Sequence, residues 1–165
     1  PNHSHTYDDM DGATTFISRG AEIGASRGLL LVNAAGNSGS SSWKYIGAPA
    51  DAAAVISVGA VNASGEITGF SSFGPTADGR IKPEILGQGQ NPALINYSTG
   101  EVTTSSSGTS FSSPIMAGLI ACLNGNQTVA LKPEASIKFK SSDNLKNSVY
   151  QSANQFSNPT DKYGY

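Results

Sequence analysis

From Gly12 onward, apolar and small residues recur at helical spacing: Ala13, Phe16, Ile17, Gly20, Ala21 and Gly24. That pattern predicts a helix with a narrow, small-residue face suited to lying close on a sheet, ended by Gly28. Asp8, Asp9 and Asp11 precede it, where the helix dipole favours negative charge. "LLLVNAA" (29–35) is an apolar run interrupted only by Asn33. It predicts a strand buried on both faces, and "AAVISVGAV" (53–61) predicts a second. Residues 36–52 between them are too irregular for a helix. "ITGFSS" (67–72) reads as a shorter strand ending in the turn "FGP". "ALINYSTGEVTTS" reads as a hairpin turning at Ser98-Thr99-Gly100.

The strongest helical pattern covers residues 111–123, with Pro114 near its start, where a missing N–H costs nothing. Its apolar residues lie on every face, the mark of a buried helix, and Gly118 would admit another backbone. A last helix is expected over 143–153, capped by Asp143. Helix, buried strands and buried helix in this order predict an α/β layered sheet.

Composition narrows the picture. A chain of 165 residues forms one domain or a piece of a larger one. With 13% charged residues and 19 glycines it reads as compact and rich in tight turns. A net charge of −2 offers no basic field for nucleic acid and no polybasic patch for a membrane surface. No apolar run approaches bilayer length. The single cysteine, Cys122, excludes an internal disulfide and a cysteine-based zinc site; on an apolar helix it reads as inert packing. The start at Pro1, without Met or an apolar leader, is expected to be cut or processed.

The chemistry centres on "SSSGTSFSSPIMAG" (105–118). Its composition suits a solvated linker, but a linker has no reason to feed a buried helix through Gly108 and Pro114. Gly108 permits a tight turn, and Ser110 falls in the first helical turn, where free N–H groups and the dipole favour negative charge. A hydroxyl there is placed to act as a nucleophile, with its own N–H aimed at a developing oxyanion. Asn37, in the Gly-flanked loop "AAGNSG" just past a buried strand, is the candidate second donor. Taken by itself, an Asn between glycines is ordinarily a turn residue.

"AAGN", "SVGAV", "FSSFGP", "KPEI" and "GTSFSSPIMAG" follow one another in an order that resembles the subtilisin-like serine protease family, over roughly residues 8–165. The resemblance implies a mostly parallel sheet flanked by helices, with a central buried helix after the nucleophile. It implies Ser110 as catalytic serine and Asn37 as oxyanion-hole asparagine. Ala34, Ala35 and Gly36 match a segment lining the pocket for the residue before the scissile bond, and Gly47 the loop closing it. The family's order is Asp, His, Ser. Neither a "DTG"-like nor an "HGT"-like segment occurs here, and His3 and His5 stand away from the family's histidine position. Residues 1–165 are therefore expected to be the C-terminal portion of one peptidase catalytic domain, with its Asp and His absent and nearly inactive alone. The expected partners are a peptide or protein substrate, and the N-terminal half of the domain or a second copy. No organic cofactor is expected, with structural calcium possible in the intact enzyme, and the expected setting is secreted or cell-envelope, in a bacterium. The competing class is a pseudoprotease or binding module on the same scaffold. Gly87-Gln88-Gly89 stands where the family has Ala-Pro-Gly, which is expected to loosen the neighbouring loop.

Other groupings carry less. Ser41-x-x-Lys44 with "SDN" (142–144) mimics two of three penicillin-recognising motifs, but Lys-Thr-Gly is absent. His3, His5, Asp8, Asp9 and Asp11 could ligate a divalent metal, although polar residues beside a helix start are more often solvated. Trp43 and Tyr45 are equally readable as core or as groove lining. Asn62-Ala63-Ser64 and Asn96-Tyr97-Ser98 are glycosylation sequons only in a eukaryotic secretory protein.

Overall fold

The computed structural model describes residues 5–129 and 142–165. Three parallel strands form the central sheet: β1 (Leu31–Ala34), β2 (Val55–Val61) and β3 (Ile85–Gln88), in that spatial order. Leu31 pairs with Val55 and Val58 with Ile85. Helix α1 (Phe16–Ser26) precedes β1 and touches β1 and β2. A hairpin of β4 (Leu94–Ile95) and β5 (Val102–Thr103) follows β3, turning through residues 96–100 as its sequence implies. Helix α2 (Thr109–Val129) then crosses all three strands of the sheet, and α3 (Ser142–Gln151) rests on α2. This is the α/β layering read from the pattern of the chain.

The core lies where β2 and β3 meet α2 and α3: Ile56, Val58, Ile85, Ile120, Leu145 and Val149, with Leu30, Val32, Met116 and Tyr150 at its margin. A buried ion pair closes the lower edge of β2 and β3. The Lys82 Nζ lies 2.5 Å from Glu84 Oε1 and donates to the Ala52 and Val55 carbonyls. Glu84 Oε2 in turn accepts from the Ser57 N–H and hydroxyl. Burial pulls the Lys82 ammonium pKa below its usual range, against the opposing pull of Glu84. A second buried carboxylate, Asp51, accepts from the Gly12 N–H and the Ser18 hydroxyl, docking the start of α1.

Several expectations need correction. Along α1 the predicted inward face is largely outward: Phe16, Ile17 and Gly20 are exposed. Ser18 is the buried residue, drawn in by its hydrogen bonds to Asp51 and Thr15. β1 is a half-buried edge strand, because no strand pairs with its outer side among the described residues. Residues 67–72 form no strand; only Ile67 bridges Val61, and the chain then turns, with the Ser71 N–H on the Thr68 carbonyl. β3 lies in "KPEILGQGQN", a stretch with no alternation to announce it. Helix α2 is buried on one face only, with Ile115, Leu119, Cys122 and Leu123 exposed. Cys122 is thus not packing in this chain, and Gly118 faces open space, with no backbone against it. Pro114 sits six residues into α2, so its missing N–H leaves the Ser110 carbonyl without its i+4 donor. Finally, α3 begins at Ser142, which puts Asp143 inside the first turn.

Candidate active site

The loop after β1 and the start of α2 meet at one point. Gly36, Asn37 and Ser38 leave β1 in a turn that Gly36 makes at φ +115, a conformation L side chains rarely adopt. A Cβ on Gly36 would also approach Ser72 Oγ to 2.9 Å. The Ser72 N–H binds the Gly36 carbonyl, and Ser72 Oγ accepts from the Ser38 N–H. Asn37 is therefore flanked on both sides by backbone hydrogen-bonded to Ser72.

Seventy-two residues later the other half arrives. The Gly108 N–H donates to the Gly89 carbonyl at 2.8 Å, tying the entrance of α2 to the end of β3. A Cβ on Gly89 would lie 2.6 Å from Ala60 Cβ and 2.9 Å from the Gly108 carbonyl oxygen. Gly89, the one residue of Gly87-Gln88-Gly89 that agrees with the Ala-Pro-Gly pattern, thus makes a contact only glycine can make. Thr109 then donates both its N–H (2.8 Å) and its hydroxyl (2.9 Å) to Asn37 Oδ1. A backbone N–H can only donate, so its partner must be the carboxamide oxygen. The Asn37 NH2 is thereby aimed elsewhere, towards Gly108, where a Cβ would lie 3.3 Å from Nδ2.

Ser110 follows Thr109 in the first turn of α2 and is exposed, as is Asn37. Its position leaves its own N–H free of intrahelical bonding. One small region therefore holds an exposed hydroxyl, a free helix-terminal N–H and an oriented carboxamide. Ala35 and Gly47 are joined there as well, since the Gly47 N–H reaches the Ala35 carbonyl at 3.4 Å. Ala34 ends β1, Ala35 is buried, and a Cβ on Gly47 would meet nothing within 4 Å, so open space lies beside this segment. All six residues singled out in the sequence thus belong to one neighbourhood.

Sequence reasoning missed Thr109 and Gly89, whose roles depend on long-range hydrogen bonds that leave no local pattern. Trp43 and Tyr45 are half-buried members of an aromatic string with Tyr7 and Phe73; the Tyr7 and Tyr45 rings lie 4.3 Å apart. Lys44 and Lys162 sit over the Tyr45 and Phe73 rings. His3 lies outside the described residues, and His5 is exposed. Among the described residues no three His, Cys, Asp or Glu side chains converge on a metal position.

Comparison with known proteins identifies the family. The sequence profile of the subtilase family matches residues 2–165. Subtilisin-like protease SBT6.1 of Arabidopsis thaliana is 33% identical over 151 residues, covering 87% of this chain and 14% of that protein. Subtilisin DY of Bacillus licheniformis is 36% identical over 113 residues, covering 67% and 38%. The self-cleaved protease domain of PatA superposes with a TM-score of 0.70 at 27% identity, covering 90% of this chain and 51% of that one. The chain thus spans well under half the length of these two relatives and about half of the PatA structure. A profile match across nearly every residue, on the same α/β fold, leaves one assignment: the chain belongs to the subtilase family.

Proposed function

We propose that this chain is the C-terminal portion of a serine endopeptidase domain, in which Ser110 is the nucleophile and Asn37 an oxyanion donor. The observation that carries the reading is the pair of hydrogen bonds from Thr109 to Asn37 Oδ1. They leave the Asn37 NH2 facing Gly108, two residues before Ser110, which supports reading that NH2 and the Ser110 N–H as the two oxyanion donors. A scaffold used only for binding needs neither the hydroxyl nor the aimed amide.

Ser110 Oγ attacks the scissile carbonyl carbon as its proton passes to a base, and the carbonyl oxygen takes the negative charge. Collapse of the tetrahedral species expels the amine with that proton and leaves an acyl-enzyme, which water hydrolyses. The substrate residue before the scissile bond lies against Ala34, Ala35 and Gly36, with Gly47 across the opening. The base and its orienting acid come from the N-terminal half of the domain, outside these residues. Without them the hydroxyl is a poor nucleophile and the chain is nearly inert.

The same partner would cover the outer edge of β1 and the exposed apolar faces of α1 and α2. Calcium would be structural, and a secreted or cell-envelope bacterial setting belongs to the same proposal. No helix among the described residues is long and apolar enough to cross a membrane.

The test is labelling by a fluorophosphonate probe with the N-terminal half supplied. Ser110 is expected to label rapidly with that half and barely without it, and Ser110→Ala not at all. Asn37→Ala should lower turnover on the order of 10²–10³-fold, the loss known for removing one such donor. Equal labelling of Ser110→Ala would identify another nucleophile. Absence of labelling in the joined protein would favour a non-catalytic binding module.

A further inference from the structure

The turn that stands in place of the expected strand at 67–72 reaches in two directions. On one side it is joined to the middle strand of the sheet. The Thr68 N–H donates to the Ala60 carbonyl at 2.9 Å, and Ser71 Oγ accepts from the Ala60 N–H at 3.0 Å. Ala60 is fully buried in β2 and pairs with Gly87 of β3, so this anchor lies within the sheet itself.

On its other side the turn grips the loop that carries Asn37. The Ser72 N–H donates to the Gly36 carbonyl and Ser72 Oγ accepts from the Ser38 N–H, both at 2.9 Å. The Gly39 N–H reaches the Phe70 carbonyl at 2.9 Å, and the Ser40 hydroxyl reaches the Gly69 carbonyl at 2.5 Å. A Cβ on Gly39 would lie 2.8 Å from the Gly69 carbonyl oxygen, so the two segments meet backbone to backbone. Of the turn residues, Ser72 alone bonds to both neighbours of Asn37, and it is 1% exposed. Removing its hydroxyl would leave the Ser38 N–H without that acceptor.

Two sets of restraints therefore meet at Asn37. Thr109 holds the carboxamide oxygen, which sets the rotation of the side chain. Ser72 holds the backbone from which that side chain springs. A donor aimed at developing charge works only while its position is fixed in advance, and a misplacement of about 1 Å can cost on the order of 10²-fold in rate. We propose that Ser72 is a positioning residue for the oxyanion donor: its N–H and hydroxyl fix the backbone on either side of Asn37, so that the carboxamide stands where the oxyanion forms. The proposal rests on the endopeptidase reading of Ser110 and Asn37, and Ser72 acts through Asn37 alone.

The experiment measures kcat and KM of the joined protein on a peptide amide substrate, well below its thermal midpoint. Ser72→Ala should lower kcat about tenfold and leave KM within about twofold of the parent's. Placed on Asn37→Ala, it should lower kcat by less than about twofold more, because the donor it positions is already gone. Ser18→Ala removes another buried serine hydroxyl, the one on Asp51, and should lower the thermal midpoint while leaving kcat unchanged. Should Ser72→Ala not fold, Ser72→Cys keeps the size with only a weak acceptor and is read in the same way. A kcat within about twofold of the parent's, or a loss that persists in full on Asn37→Ala, would overturn the proposal. An equal loss in Ser18→Ala would overturn it too, since the effect would then be one of stability. A joined parent without turnover, or Asn37→Ala without loss, would instead bring down the reading of Ser110 and Asn37, and this proposal with it; both show before Ser72 is changed.

Discussion

β1 and β2 are neighbours, run parallel and are written in the same alphabet of Leu, Val, Ile and Ala. β2 is buried through six of its seven residues, whereas β1 is only half covered. Helix α2 repeats the contrast in adjacent side chains: Ile120 is 4% exposed and Leu119 57%. Apolar character states what a segment can bury, not what is present to bury it. On one flank β3, α3 and the Lys82–Glu84 pair supply the cover; on the other, α1 and α2 touch β1 but no strand lies on its outer edge among the described residues.

The contrast can be broken or sharpened by measurement. Lys82→Ala leaves Glu84 buried without its counter-charge and frees two backbone carbonyls. It should cost about 3–5 kcal/mol of stability in urea unfolding. A loss below about 1 kcal/mol would mean that water already reaches the sealed flank. Next in size, Ile120→Ala should cost about 2–5 kcal/mol, and Leu119→Ala no more than about 0.5 kcal/mol. Equal costs would erase the difference between the two faces of α2.

The open flank has its own prediction. Leu119→Asp should leave the chain's unfolding midpoint nearly unchanged and weaken association with the N-terminal half, or with a second copy, by about tenfold or more. Size-exclusion chromatography reads this directly, and wild-type chain running as a well-folded monomer at every concentration would remove the need for a cover.

The smallest effect is at the start of α1. Hydrogen bonds from the Thr14 and Ala13 N–H groups, and from the Thr14 hydroxyl, hold the Asp11 carboxyl below its ordinary value of 3.8. A lowered carboxylate pKa stabilises the fold fully above the unfolded value, and the contribution fades as pH falls through the folded value. Between pH 5 and pH 2, Asp11→Ala should therefore lose less thermal midpoint than the parent. A parallel decline would show that Asp11 contributes nothing.

These contrasts also explain what was legible in the residues. Periodicity found α1, β1, β2, the hairpin and α2, because each carries a local signal of spacing or turn chemistry. It missed β3, whose Gly87 is shaped by Ser112 and Met116 of α2 lying against it. It also assigned α1 and α2 inward faces that are exposed, since pattern states what a face can bury and not what lies against it. Ser110 and Asn37 were singled out as candidates through motif and helix position. Thr109, which orients Asn37, was not, because its evidence is a contact across 72 residues.

That contact has a consequence for the order in which the two loops form. Asn37 is oriented by Thr109 across 72 residues, so their shared geometry arises in one cooperative step, once both crossovers lie on the sheet. Deuterium uptake at the Thr109 amide would time that step.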